Sequence, residues 1–160
     1  MSAGAPRPGD ADAGVPFRYR TAVDVRFRDV DALGHVNNAV YFTYFEIARS
    51  AYFAAVQGRR LGIDDFRIVV AEASCRYRSP AFYGERLIVD VATTSLRSRS
   101  LELRYRVTAE DDGRLVAEGR TVLVAYDHHA RRTTTLTSAL RRQIEHFEGR
   151  TIGERELGHH

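Results

Sequence analysis

The chain has 160 residues, of which 44% are hydrophobic and 28% charged, with a net charge of +3 at pH 7. This length predicts one domain with its own core. The mild charge, with basic and acidic residues alternating, argues against a nucleic-acid-binding protein. Cys75 is the only cysteine, which excludes an internal disulfide framework and favours the reducing cytoplasm.

The two ends of the chain are predicted to lie outside the folded domain. Residues 1–16 are rich in Ala, Gly, Pro and Asp and contain no apolar segment of a secretory signal, so we expect a disordered tail. The domain is predicted over residues 17–150, with a C-terminal tail over 151–160. Polar residues such as Glu46 and Arg49 interrupt the most hydrophobic run, so we expect no insertion into a membrane.

A strand and a long helix are the first predicted elements. The helix is predicted from Asn38 to Gln57, with Asn37 or Asn38 as its N-cap and Gly58 ending it. Apolar side chains cover most of its circumference, so the helix must be surrounded by protein. In the strand before it, apolar positions alternate with charged ones: Thr21, Val23, Val25 and Phe27.

Four more strands and a short helix are predicted after a linker containing Gly62 and Asp64-Asp65. The Asp111-Asp112-Gly113 segment is typical of a hairpin turn between the last two strands. The short helix is amphipathic and runs roughly from Ser138 to Phe147, with Thr137 or Ser138 as its N-cap. The strand patterns cover Phe66 to Arg78, Arg86 to Leu96, Ser98 to Ala109, and Arg114 to Tyr126.

This order of elements predicts an α+β fold. We expect the last four strands to form an antiparallel meander with one apolar and one charged face. Such a sheet must bury its apolar face, and the long helix is the element available to cover it. The predicted architecture is therefore a curved antiparallel sheet of about five strands around one central helix.

A loop before the long helix contains the residues with the clearest chemical potential. Asp31 and His35 lie four residues apart in a glycine-containing segment, and Asn37 and Asn38 follow at the predicted helix start. A helix N-terminus presents free N–H groups and the positive end of the helix dipole. A base, an imidazole and an electropositive helix start together predict a catalytic site.

The segment from Arg28 to Arg49, which includes Asp-Val-Asp-Ala-Leu-Gly-His-Val-Asn-Asn, resembles the hotdog-fold acyl-CoA thioesterases of the 4-hydroxybenzoyl-CoA thioesterase type. The resemblance covers roughly residues 18–126, and the segment Tyr77 to Gly84 also fits. It implies a hotdog fold, hydrolysis of acyl-CoA, and a dimer. We expect no cofactor, and a homodimer or homotetramer. In such a dimer the long helices lie side by side and the active sites lie at the subunit interface.

The resemblance also implies a role for Asp31, the catalytic base or nucleophile. Plant acyl-carrier-protein thioesterases of this type use a His at the position of His35 and an Asn between the two. Leu33 occupies that Asn position here, so the Asp–Asn–His arrangement does not carry over whole. His35 either orients water or substrate, or it is a loop histidine that bonds to the backbone.

Thioester hydrolysis needs a nucleophile and an electrophilic pull on the carbonyl oxygen. Asp31 can attack directly through an anhydride or act as a general base for water. Backbone N–H groups near Asn38 can polarise the carbonyl. Asp29 could pair with Asp31 and His35 around a metal, but no further carboxylate or histidine has ligand spacing, so we predict no metal site.

Substrate contacts are predicted for residues around this loop and for arginines near strand ends. Arginines suit the phosphates of CoA, although each could also be a solvated residue of an exposed sheet face. Glu46 could be a second carboxylate, or could pair with Arg49 or a partner subunit. The predicted substrate-binding residues are Asn37, Tyr41, Glu46, Arg76, Arg78 and Arg99.

Two other functions compete with an acyl-CoA thioesterase. One is a thioesterase acting on acyl carrier protein, which would need a docking surface for the carrier. The other is a non-catalytic acyl-CoA-binding module on the same fold. The presence of Asp31 favours catalysis over simple binding.

Overall fold

The computed structural model describes residues 14–62 and 67–154. Most of the predicted N-terminal tail, residues 1–13, lies outside the described residues. So do the Asp64-Asp65 part of the predicted linker, the predicted strand start at Phe66, and the end of the chain from residue 155.

The α+β fold class predicted from the sequence is confirmed. An antiparallel sheet packs against one long helix, and a second helix follows the last strand. The elements are β1 (Tyr19–Asp24), a 3₁₀ turn (Phe27–Asp29), α1 (Val40–Gln57), β2 (Ile68–Tyr77), β3 (Arg86–Leu96), β4 (Ser100–Ala109), β5 (Leu115–Asp127), β6 (Arg132–Thr133) and α2 (Ser138–Glu148).

The first strand is shorter than its alternating pattern predicts. It ends at Asp24, and Phe27, predicted to face inward, is 77% exposed in the 3₁₀ turn. The chain turns there because the side chain of Asp29 accepts a hydrogen bond from the backbone N–H of Arg26 at 2.9 Å. This local side-chain bond replaces the sheet pairing that the pattern predicts.

The predicted four-stranded meander is wrong for β2. The sheet order is β1-β3-β4-β5-β2, so only β3, β4 and β5 follow one another as neighbours. β2 pairs with β5 on the far edge, from Ile68 opposite Ala125 to Tyr77 opposite Ala117, and β1 pairs with β3 on the other edge. Periodicity indicates which face of a strand is buried but carries no information about its neighbours.

Helix α1 packs closely on the concave face of the sheet. The ring of Phe45 stacks on that of Tyr105, with centroids 4.5 Å apart. A Cβ added at Gly119 of β5 would overlap the Phe45 ring, so glycine at this position permits the close approach. Tyr44, Phe45, Ala48 and Tyr52 of α1 are completely buried.

The outer face of the sheet is a network of arginines and buried carboxylates. Asp90, Glu102 and Glu118 are each at most 7% exposed. Each is paired with an arginine, and buried carboxylates require such pairing. The closest pairs are Arg20 with Asp90 at 3.0 Å, Arg120 with Glu102 at 2.8 Å, and Arg78 with Glu118 at 2.7 Å.

The second helix closes one end of the core. Thr137 accepts a hydrogen bond from the N–H of Leu140 at 3.1 Å, which confirms it as the N-cap. Ile152, two residues beyond the predicted domain end at residue 150, is 3% exposed and packs in the core. Within residues 14–62 and 67–154, no helix is both long and apolar enough to cross a bilayer.

Candidate active site

The loop between the 3₁₀ turn and α1 is closed by its own backbone. The N–H of Asp31 donates to the carbonyl of His35 at 2.8 Å, and the N–H of Gly34 donates to the carbonyl of Asp31 at 3.0 Å. Gly34 has a φ of 81°, which a residue with a side chain adopts at a cost. The N–H of Val36 donates to the carbonyl of Ala81 at 2.9 Å, which holds the loop against the segment before β3.

The carboxylate of Asp31 is exposed, and one of its oxygens caps the loop. Oδ1 accepts hydrogen bonds from the N–H groups of Leu33 at 2.9 Å and of His35 at 3.3 Å. Within the described part of the chain, no group donates to Oδ2. The side chain is therefore fixed through one oxygen while the other remains available to water or substrate.

The start of α1 differs from the prediction that Asn37 or Asn38 is the N-cap. The N-cap is Ala39, which has no side-chain acceptor. Oδ1 of Asn37 accepts from the N–H of Ala39 at 3.0 Å, and its carbonyl accepts from the N–H of Val40 at 2.9 Å. The side chain of Asn37 thus bonds two residues ahead and forms an extra turn before the helix.

The backbone N–H of Asn38 lies two residues before the first residue of α1. It has no acceptor among the residues that the structure describes, whereas the next two amides are satisfied by Asn37. The Asn38 carbonyl accepts a 3.0 Å hydrogen bond from the phenol of Tyr77. This bond ties the peptide group between Asn38 and Ala39, at the start of the helix, to the end of β2.

His35 is held through its backbone and by an aromatic neighbour. Its ring lies 5.3 Å from that of Phe82, at an interplanar angle of 82°. The two residues also form an isolated antiparallel bridge. Phe82 is not among the predicted site residues; the signal for it in the sequence was its place in the Tyr77 to Gly84 segment that fits the family.

Asp29, two residues before Asp31, has a different environment from its neighbour. It is 2% exposed, and its oxygens accept from the Arg26 side chain at 3.0 and 3.2 Å and from the Tyr44 phenol at 2.9 Å. Burial alone would raise the pKa of Asp29, but the hydrogen bonds from Arg26 and Tyr44 outweigh it and lower the pKa. The Asp29 carboxylate is thus saturated by protein donors.

A metal cluster around this loop has no further support from the geometry. Across residues 14–62 and 67–154, no group of three or more His, Cys, Asp or Glu side chains is arranged to hold a metal ion.

Two predicted contact residues on α1 lie in different surroundings. Tyr41 is buried, with its ring edge-on to those of Tyr44 and Tyr77, and burial raises its pKa to about 12. Glu46 is exposed. Its predicted alternative partner, Arg49, donates instead to the phenol of Tyr105 at 3.4 Å.

The thiol near this cluster is poorly suited to nucleophilic attack. Cys75 is half-buried on β2, and burial raises its pKa to about 11. The protonated thiol therefore predominates at neutral pH.

The three predicted arginines are dispersed. Arg76 is exposed on β2 and, like Arg78, is adjacent in sequence to Tyr77, which contacts the helix start. Arg78 is paired with the buried Glu118. Arg99 precedes β4 and donates to Thr133 at 3.2 Å, at the opposite end of the sheet from the loop, so one protomer does not bring it to Asp31.

The family follows from a comparison with known proteins. Residues 25–144 match the model of the thioesterase-like superfamily. The chain belongs to this superfamily. A Thermus thermophilus thioesterase solved with coenzyme A and zinc is 40% identical, with a TM-score of 0.72 over 82% of this chain and 95% of that one.

Curated proteins similar to this chain include a thioesterase. The long-chain acyl-CoA thioesterase FadM of Escherichia coli is 27% identical, over 79% of this chain and 96% of its own. The uncharacterised protein YsmA of Bacillus subtilis is 35% identical over 56% of this chain, and the match spans 60% of that relative. A thioesterase-superfamily structure from Jannaschia, 22% identical with a TM-score of 0.76 over 88% of this chain and 89% of that one, shares the fold. The predicted hotdog fold and the enzyme class, thioester hydrolase, are confirmed at the level of the family.

Proposed function

We propose that this protein hydrolyses an acyl-CoA thioester to a carboxylic acid and CoA, with Asp31 as general base or nucleophile. The observation that carries the proposal is the pairing of two free groups at one loop. Among the residues that the structure describes, no group donates to the second carboxylate oxygen of Asp31, and no group accepts from the backbone N–H of Asn38. Both belong to segments held by backbone hydrogen bonds, which is the preorganisation that hydrolysis requires.

Hydrolysis of the thioester can follow either of two routes. As a general base, Asp31 takes a proton from water, whose oxygen attacks the thioester carbon, and the proton passes to the departing CoA thiolate. As a nucleophile, Asp31 attacks the same carbon and expels CoA, and water then hydrolyses the resulting anhydride. In both routes the Asn38 N–H stabilises the oxyanion that forms on the carbonyl oxygen.

Coenzyme A is the proposed carrier because the 40% identical Thermus thermophilus thioesterase was solved with coenzyme A and FadM is named for long-chain acyl-CoA. Arg76 is the exposed cation proposed for its phosphates. Thioester hydrolysis on an acyl carrier protein is the second candidate function. A non-catalytic binding module is the third, and the open Asp31 oxygen argues against it. We also propose a cytoplasmic location, because a single cysteine suits a reducing compartment.

We further propose that the working unit is a homodimer or homotetramer. In one protomer α1 exposes Phe42 and Ile47, and β2 exposes Val70 and Tyr77, each at 38–48%. One edge of β2 pairs with β5, and its other edge has no strand partner among the described residues. Exposed strand edges and apolar surfaces of this kind favour pairing with a second copy.

A hydrolysis screen tests the function directly. Purified protein is incubated with acyl-CoA thioesters of increasing chain length and with aromatic acyl-CoA, and the released thiol is trapped with a chromogenic reagent. The same acyl groups on acyl carrier protein form the second arm. Hydrolysis of at least one acyl-CoA supports the proposal. Activity only on the carrier protein selects the second candidate, and binding without turnover selects the third.

A further inference from the structure

A buried hydrogen bond joins the candidate catalytic loop to the middle of the fold. The phenol of Tyr44 on α1 donates to Oδ2 of Asp29 at 2.9 Å. Tyr44 is completely buried and Asp29 is 2% exposed. A phenylalanine would fill the same space without a polar atom, so the hydroxyl needs an explanation other than packing.

Asp29 is also the point where the loop closes. Its carbonyl accepts from the N–H of Asn37 at 2.8 Å, and Val30 and Val36 form a bridge just inside that bond. Asp29 therefore connects the two sides of the loop through its backbone, and it connects the loop to α1 through its side chain. Asp31 follows Asp29 by two residues, and Asn38 follows Asn37 directly.

Arg26 completes the anchoring of Asp29 from the solvent side. Its guanidinium donates at 3.0 and 3.2 Å and its backbone N–H at 2.9 Å. These local donors already neutralise the carboxylate within the same turn of chain. The Tyr44 bond adds a connection that they cannot supply, because Tyr44 lies on the helix that begins at Val40.

We propose that Asp29 and Tyr44 are positioning residues, which hold Asp31 in register with the Asn38 amide. This inference rests on the proposed function. The buried side-chain hydrogen bond between them connects the segment that carries the base to the helix whose start carries the oxyanion donor. Loss of the bond lets the loop shift relative to α1, and a displacement of about 1 Å costs on the order of a hundredfold in rate.

The test compares two tyrosines of the same helix. Tyr44→Phe removes the donor to Asp29. Tyr52→Phe is the control, because the phenol of Tyr52 is equally buried and donates to another buried carboxylate, Glu148, at 2.6 Å. The full-length protein and an acyl-CoA that the wild type hydrolyses are used for both, with kcat and KM measured separately.

We expect Tyr44→Phe to lower kcat by at least about tenfold with KM changed by less than about threefold, as expected for a misplaced base. Tyr52→Phe should keep kcat within about twofold, since its partner lies outside the site. Equal losses in both variants, or an unchanged kcat in Tyr44→Phe, would overturn the inference.

A double-mutant cycle separates positioning from general damage. If Tyr44 acts through Asp31, Tyr44→Phe should lower the residual rate of Asp31→Asn by less than about twofold. A full additional tenfold loss would contradict a positioning role. If Asp31→Asn itself leaves kcat unchanged, the proposed function fails, and that result is distinct from a failure of the Tyr44 inference alone.

Arg26→Gln keeps the test decisive if Tyr44→Phe does not fold. Arg26 is 45% exposed at its side chain, so its loss is tolerated better than a change in the core. We expect kcat to fall by at least about threefold, because Asp29 loses two of its charge-assisted donors. An unchanged kcat in a folded Arg26→Gln protein would overturn the anchoring role of Asp29.

Discussion

The phenol of Tyr77 donates a 3.0 Å hydrogen bond to the backbone carbonyl of Asn38. Tyr77 is the last residue of β2, the strand with the open edge, and Asn38 precedes the helix that begins at Val40. The bond therefore joins the edge proposed for subunit contact to the residue whose backbone N–H is proposed to stabilise the oxyanion. A partner that pairs with β2 would order the same corner of the molecule in which the chemistry is proposed to occur.

Activity is therefore expected to require an oligomer. Ile47→Glu places a charge on the exposed apolar face of α1, where a partner helix would otherwise bury Ile47. We expect this variant to sediment as a monomer and to lose most of its activity, whereas Ser98→Glu in the exposed β3–β4 turn should change neither. A wild-type protein that is monomeric and fully active at micromolar concentration would refute the proposal.

Substrate binding is expected to weaken with salt while turnover changes little. Contacts between arginines and CoA phosphates are screened as ionic strength rises, so KM should increase from low to high salt. Arg76→Gln should raise KM at low salt and flatten this dependence, and Arg142→Gln on the exposed side of α2 serves as the control. A wild-type KM that is independent of salt would show that these arginines do not hold the substrate.

The Asp29 anchor should give a defined dependence of stability on pH. The pKa of Asp29 is lowered from its ordinary 3.8, so its contribution to the free energy of unfolding is present above that value and is lost as pH falls through the folded pKa. At pH 6 the wild type should be more stable than Asp29→Asn by about 1–3 kcal/mol.

That difference in free energy of unfolding should shrink as pH falls below about 4. Urea unfolding of both proteins between pH 3 and 6 measures it. A gap that stays constant over this range would contradict the assignment of Asp29 as an ionised anchor.

Much of the fold was predictable because hydrophobic periodicity and the residues that end helices or form turns are local signals. The predicted bounds of Arg86–Leu96 agree with β3, and Gly58 ends α1 in a left-handed conformation. The position of β2 beside β5 was not predictable in this way, because strand neighbours are set by contacts distant in sequence. The same holds for Ile152, whose burial depends on packing beyond the last helix.

The site was predictable as a segment but not in its internal geometry. Asp31, His35 and the region of the helix start were assigned to the candidate site from residue types and spacing. The opposite environments of Asp29 and Asp31 were not, since both are aspartates in one short loop and only the fold brings Tyr44 to the first of them. Phe82 was missed because its contact with His35 joins segments far apart in sequence.

The most direct test of the account is the turnover of Asp31→Asn beside that of Asp127→Asn. Asp127 caps a turn at the far end of β5 as Asp31 caps its loop, with Oδ1 accepting from the N–H groups of His129 at 2.9 Å and Ala130 at 3.0 Å. Both substitutions keep an acceptor oxygen and remove a charge. If Asp31 is the base or nucleophile, its variant should lose at least about a hundredfold in kcat, with KM and folding little changed, while Asp127→Asn stays within about twofold of wild type. A folded Asp31→Asn enzyme with near-normal turnover would contradict the mechanism.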